Sequence, residues 1–474
     1  MSMGKRKRKQ SELFVPHTAL RPGAGHPFYQ ALERLLRERK FDEFVEGLCQ
    51  PFYAEKQGRP SLAPGVYFRC LLVGFFEGID SERGIAWRVS DSMSLRNFLG
   101  LTLQEHPPDH STLSRTRRLL PLETHQEVFT WVLGRLAENG LLRGKTLGVD
   151  ATTLEANAAM RSIVRRASGQ SYEDYLTELA KAAGIETPTR AQLAKLDKNR
   201  KNKGSNDEWV NPNDPDAEIT KMKDGRTHLA HKQENAVDLD TGAVVSTTLA
   251  GGAKGDTETL SATVSEAEEN LEDAREKADA KGKGKVAKRV RELVADKGYH
   301  SNAVLSVLRD DGIRTYISEP ERGRRNWHGK DAEREAVYAN RRRISGERGK
   351  RLLRSRGEFV ERPFAHLLET GGMRRTHLRG HDNILKRMLV HVAGFNLSLL
   401  MRKLFGVGKP RQMQGKEALW ETLVDLMLLL VVVVRLSAEQ IRARLQAAAV
   451  VDDGFEGSDA CDRLYVRRAS ATGC

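Results

Sequence analysis

The four cysteines, Cys49, Cys70, Cys461 and Cys474, include no pair at C-x-x-C spacing. Neither a zinc knuckle nor a disulfide framework is therefore indicated. Long apolar runs are missing as well. The longest, Leu423 to Val434, has 12 residues, contains Asp425 and is too short to span a bilayer. No apolar signal-peptide core follows the basic N-terminus, so a cytoplasmic protein without a membrane partner is expected. No serine, cysteine or tyrosine stands out as a covalent nucleophile.

What the chain has in excess is positive charge. It carries 78 Lys and Arg against 64 Asp and Glu, a formal net charge of +14, with a pI near 9.6. A balance of this size points to a polyanion, with nucleic acid as the default partner. The charge is also clustered. Residues 1–40 hold ten Lys/Arg against three Glu, five of them in the run Lys5 to Lys9, and residues 322–356 hold thirteen against four acids. Two separate basic blocks fit a long phosphate backbone better than a single solvated face. With 39% hydrophobic residues the chain can bury a core, and 474 residues suggest two or three domains.

The first 143 residues read as helical. Leu32, Leu35, Leu36, Phe41 and Phe44 give helical spacing from Tyr29 to Leu48, and Pro64 to Glu77 reads as a buried helix that ends at Gly78. Ser81 caps the next helix. Asp109-His110-Ser111-Thr112 opens a short helix carrying Arg115, Arg117 and Arg118, a candidate DNA reader. At Gly144 the texture changes. Thr146 to Ala151 reads as a strand with Asp150 near its end, and residues 161–226 as a polar, partly flexible insertion. His228 to Leu239 and Ala243 to Leu249, joined by Asp240-Thr241-Gly242, have a hairpin pattern. A long charged helix runs from Leu260 to about Lys277. Apolar Arg289 to Ala295 ends at Asp296, followed by a helix at Asn302 to Leu308 and a strand at Arg314 to Ile317. Helical spacing returns from Phe359 to Leu368 and from Ile384 to Leu404. The order yields an α/β fold, a mixed sheet flanked by helices behind an all-helical N-terminal domain. Asp150 and Asp296 fall at the ends of neighbouring strands, where such sheets leave a crevice.

Two aspartates at strand ends and a glutamate on a later helix suit two-metal phosphoryl transfer. A Mg²⁺ ion takes hard oxygen ligands and keeps several waters, so two or three carboxylates suffice. Gly148-Val149-Asp150, Asp296-x-Gly298-Tyr299 and Glu361-Arg362-x-Phe364 resemble the three signature regions of bacterial insertion-sequence DDE transposases with an RNase H-like catalytic domain. Gly78-Ile79-x-Ser81-Glu82-Arg83 and Asp109 to Thr112 resemble that family's helical N-terminal domain. Asp214-Pro215-Asp216-Ala217, His231-Lys232 and Asp238 to Gly242 resemble the stretch between its first two acids. Arg374-Arg375 through Arg379-Gly380 and Asn396-Leu397 resemble its final helices. The likeness runs from about residue 25 to about 404.

The resemblance implies cleavage of double-stranded DNA at terminal inverted repeats and strand transfer into a target. It implies Asp150, Asp296 and Glu361 as catalytic metal ligands for Mg²⁺, with Mn²⁺ as a substitute, and a homodimer on DNA. Lys297, Arg374, Arg375, Arg379, Arg115, Arg117 and Arg118 are the candidate DNA contacts. Related transposases often place Tyr, Arg, Glu and Lys at helical spacing around the third acid, whereas here Gly357 and Leu368 stand four before and seven after Glu361. Glu358, with Arg354 and Arg351 on its helix face, is the rival, and Glu361 is preferred for the Phe364 that follows. The expected division is 1–143, helical and DNA-binding; 144–405, catalytic; 406–474, a tail without likeness. The alternative functions are a catalytically decayed or adopted DNA-binding protein, and an RNase H-like nuclease that does not join strands.

Overall fold

The computed structural model describes residues 25–54, 61–102, 104–200, 204–222, 224–278, 286–321, 323 and 325–413. The Lys5–Lys9 run, Leu423–Val434 and nearly all of the expected tail lie outside them. The chain divides into two compact units, Met1–Arg411 and Gln412–Cys474, and all the helices and strands from Pro27 to Phe405 belong to the first.

Seven helices come first: α1 (Pro27–Glu38), α2 (Phe41–Cys49), α3 (Pro64–Glu77), α4 (Glu82–Asp91), α5 (Met93–Phe98), α6 (His110–Leu119) and α7 (Leu122–Glu138). The continuous spacing from Tyr29 to Leu48 is in fact two helices, because Lys40 turns the chain with φ 51°. The remaining ends follow local chemistry. Gly78, at φ 71°, closes α3 as a left-handed cap, and the Ser81 hydroxyl accepts from Gly84 N at 3.1 Å to start α4. Asp109 does the same for α6 through Ser111 N at 2.8 Å. Arg69, buried in α3, donates to Asp42 at 2.8 Å, to Glu33 and to the Phe98 carbonyl. A buried guanidinium requires such partners, and these tie α3 to α1, α2 and α5.

The α/β part contains β1 (Thr146–Glu155), β2 (Val164–Arg165), α8 (Tyr172–Ala182), α9 (Arg190–Asn199), β3 (Trp209–Val210), β4 (Glu218–Lys221), β5 (Thr227–Asp238), β6 (Val244–Gly251), α10 (Asp256–Lys277), β7 (Glu292–Ala295), α11 (Asn302–Asp310), β8 (Arg314–Ile317), α12 (Asp331–Ser345), α13 (Glu347–Ala365) and α14 (His381–Phe405). The main sheet runs β5-β1-β7-β8, with β6 and β4 both pairing with β5. β1, β5 and β6 are antiparallel, whereas β1, β7 and β8 are parallel, so the sheet is mixed as expected. α10 covers one face, with Thr263 bonding Glu234 of β5 and Thr248 of β6. α13 covers the other, with Val360 above Gly148. α7 packs on both α10 and α14, joining the helical region to the sheet. α14 belongs to the one helix among the described residues long and apolar enough to cross a membrane, and 89% of its most apolar window is buried within the fold.

The polar stretch 161–226 is more ordered than its composition suggests. Trp209 is fully buried with Ile163, Ile219 and Leu229, and Tyr172 and Tyr175 meet its ring at 4.8 and 5.4 Å. A few widely spaced aromatics suffice for a satellite core, and period-based reading misses them.

Candidate active site

The register of β1 and β7 sets the first two acids side by side. The parallel ladder pairs Thr146 with Glu292, Leu147 with Leu293 and Gly148 with Val294. Two residues beyond the last pair come Asp150, still within β1, and Asp296, just after β7 ends at Ala295, and the two carboxylates are neighbours. Asp150 is not at the end of its strand, as the sequence suggested. β1 continues to Glu155 because β5 pairs with it along its full length, through Glu155 and Ala230. Only the pairing with β7 stops short, and the crevice opens there.

Asp296 caps a single 3-10 turn, its Oδ1 accepting from Gly298 N at 2.8 Å. Asp150 accepts from Ala151 N at 2.9 Å and from Arg356 of α13, also at 2.9 Å. Burial pushes the Asp150 carboxyl above its usual range. Arg356 opposes that shift, while the neighbouring Asp296 and Asp256 carboxylates add to it. Asp256, the first residue of α10, is held by Lys232 at 2.7 Å. The buried Lys232 ammonium also donates to Thr259 at 3.1 Å. Behind this group, Tyr299 donates to the buried Glu234 at 2.9 Å, and burial raises both their pKa values.

Glu361, on α13, lines the same cleft as Asp150. This open cleft of about 490 Å³ is lined by Asp150, Thr152, Glu361, Phe364 and Arg374, among others. Phe364 is buried and pins the helix over β1. Pro363 leaves one helical bond unmade, and the helix widens into a π turn at His366–Thr370 just beyond. Glu358 is exposed, paired with Arg362 at 2.9 Å, and is not in the lining of the cleft. Asp296 stands beside the cleft rather than in its lining.

The candidate DNA contacts divide by exposure. Lys297, Arg115 and Arg118 are exposed. Arg117 is turned inward, 8% exposed, paired with Glu82 and bonded to Asn383 at 3.2 Å. Arg374 and Arg375 lie beside the end of β1, where Thr376 N donates to the Glu155 carbonyl at 3.0 Å, and they pair with Glu369 at 2.7 Å and Glu155 at 3.9 Å. Arg379 bonds the Asn157 carbonyl at 3.2 Å. Sequence reasoning missed Arg356, Lys232 and Asp256 as members of this group. The only signals were the helix-opening Gly255-Asp256-Thr257 and the pair His231-Lys232.

The donor set is all oxygen, as a hard divalent cation requires, and the Asp296 and Asp256 carboxylates repel the desolvated Asp150 carboxyl in a way such a cation would relieve. Among the described residues, no three His, Cys, Asp or Glu side chains stand close enough to hold an ion.

The family model described as Transposase domain (DUF772) matches residues 17–119, and that described as Transposase DDE domain matches residues 191–397. The second match includes Asp296 and Glu361, while Asp150 precedes it. No curated protein and no solved structure matches the chain. With a helical N-terminal region matched by one model and most of an RNase H-like mixed sheet by the other, the chain belongs to the insertion-sequence DDE transposases.

Proposed function

We propose that the chain cuts DNA at the terminal inverted repeats of its element and transfers the cut strand into a target, with Asp150, Asp296 and Glu361 as the ligands of Mg²⁺ or, in its place, Mn²⁺. The observation that carries this reading is the closeness of the Asp150 and Asp296 carboxylates just beyond the paired segments of β1 and β7, with Glu361 lining the same cleft as Asp150. When bound, the ions would activate the attacking oxygen and stabilise the leaving one. The rest is done by the protein's own residues. Arg356 pairs with Asp150 and offsets its charge. Lys232 fixes Asp256 beside Asp296, and Phe364 holds the height of Glu361 above the sheet. Arg374, in the cleft, and Lys297, next to Asp296, are placed to meet the phosphates on either side of the scissile one. Drawing Glu361 the remaining distance is assigned to DNA binding, since catalytic contacts commonly tighten only in the substrate complex. Two element ends must be held together, so the working form is a homodimer on DNA in the cytoplasm.

The test is cleavage of a labelled duplex carrying the flanking inverted repeats, in Mg²⁺ and then in EDTA, beside Glu361→Gln and Glu358→Gln. Metal-dependent nicking at the repeat end, lost only in Glu361→Gln, is the expected result. Loss only in Glu358→Gln overturns the third ligand. Binding without cleavage in any metal turns the reading to a decayed DNA-binding protein, which the unassembled acids would then explain. Cleavage without joining to a target turns it to a nuclease.

A further inference from the structure

The opposite end of the parallel strands carries a second charged feature. Lys145 immediately precedes β1, Arg291 immediately precedes β7 and Arg314 opens β8, so the alignment of the three strands brings three cations to one edge. Lys288 and Arg289 join them from the connection ahead of β7. All five are exposed, and they line an open groove of about 880 Å³. None of the five has an ion-pair partner among the described residues. Their neighbours differ: Arg348, in the same groove, is bound to Glu292, while Arg309, Arg325 and Arg341 all have carboxylate partners. Asp311 is the one other acid in the lining. Unpaired cations crowded together repel, and this group is left uncompensated while the arginines just named nearby are paired.

We infer that this groove binds the phosphate backbone of duplex DNA, at a segment other than the one being cut. Lys145 precedes Asp150 by five strand residues, roughly 16 Å at about 3.3 Å each. That excludes contact with the scissile phosphate, yet it is well under one helical turn of DNA, about 34 Å. The apolar members of the lining are Ala287 and Val290, and Val290 is buried. The groove therefore has no aromatic to stack on a base and no apolar anchor for a protein partner. Lysine and arginine without such anchors suit sequence-independent phosphate contact. The inference rests on DNA as the family's substrate, and not on the assignment of Asp150, Asp296 or Glu361.

The test uses the full chain with Lys145→Gln, Arg289→Gln and Arg291→Gln combined. The control combines Lys181→Gln, Arg190→Gln and Lys221→Gln, which removes the same charge from another exposed surface. Binding of a labelled duplex without inverted repeats is followed by anisotropy across a salt series. Each lost phosphate contact lowers the slope of log K against log salt by about 0.9. The groove variant is expected to lose about 2–3 in slope and at least about tenfold in affinity at low salt, against less than about 1 in slope for the control. Equal slopes for the two variants overturn the inference. So does binding of polyglutamate as tight as that of the duplex, which would indicate an acidic protein partner. If the triple variant melts early, the three single variants replace it, each expected to lose about 1 in slope. A wild-type chain that never cleaves, but whose slope falls with the groove, loses the carboxylate reading and keeps this one. Metal-dependent cleavage with an unchanged slope does the reverse.

Discussion

Two carboxylates under the same helix have opposite fates. Glu292 and Asp150 sit on adjacent strands, face α13, and take one arginine each from it, Arg348 and Arg356. Glu292 receives more than its arginine. Thr146 donates to it at 2.9 Å and Tyr316 at 3.1 Å, so although burial pushes its carboxyl up, these bonds and Arg348 outweigh burial and hold it below its usual range. Asp150 has Arg356, the adjacent Ala151 amide, and two acidic neighbours. Its carboxyl is held above its usual range. A saturated ion pair is part of the scaffold. An undersatisfied one, with one bond to each oxygen and a cleft beside it, is where a cation or a phosphate has something to add.

The largest effect should come from removing the undersatisfied acids. Asp150→Asn and Asp296→Asn are each expected to reduce cleavage of an inverted-repeat duplex by at least about 10³-fold, a loss of several kcal/mol in the transition state, with duplex affinity within about twofold of wild type. Loss of binding in both variants would erase the functional side of the contrast. Next comes the saturated pair. Glu292→Gln should destabilise the fold by about 1–3 kcal/mol at pH 7, measured by denaturant unfolding. A depressed folded pKa gives stability that is present above the unfolded value and lost as pH falls through the folded one. The penalty of Glu292→Gln should therefore shrink on acidification.

Asp150 carries the reverse sign. A raised folded pKa means that the charged form is disfavoured in the native state, so stability is gained as pH falls and lost as pH rises through the folded value. Asp150→Asn should accordingly melt a few degrees higher than wild type at pH 7, with no difference near pH 3. A lower melting temperature at pH 7 would make Asp150 structural. The smallest expected effect separates the two arginines. Arg348→Gln should cost about 1 kcal/mol and Arg356→Gln less than about 0.5, because Asp150 can hydrate through the cleft. Equal losses would dissolve the comparison.

Much of this scaffold was legible in the sequence, for physical reasons that can be named. Gly78, Ser81 and Asp109 act within three or four residues of their own position, so helix ends could be read directly. The hairpin around Asp240-Thr241-Gly242 is local in the same way, and Asp150 and Asp296 each follow an apolar stretch. Arg356 and Asp150 are 206 residues apart, and nothing local marks either as the partner of the other. Lys232 and Asp256 meet across a strand and a helix start for the same reason. Lys40 shows the limit of periodicity, since Phe41 and Phe44 keep helical spacing across a turn that breaks the helix. The Trp209 core was hidden because Tyr172, Tyr175 and Trp209 are scattered through a polar stretch and converge only in three dimensions. That Glu361 lines the cleft while Glu358 turns to Arg362 depends on how α13 packs, which local sequence does not display.

Gly148 is no acid and takes no part in chemistry, yet it behaves as a gauge block. A β-carbon built there would come within 2.7 Å of both Val360 on α13 and Leu239 beyond β5. The bare backbone thus defines the clearance between the sheet beside two of the proposed ligands and the helix that carries the third. A single methyl group would act as a shim under that helix, lifting Glu361 while leaving every charge in place. Because an error of about 1 Å in such positioning can lower a rate by about 10²-fold, the tolerance of this machine is set at a residue with no side chain at all.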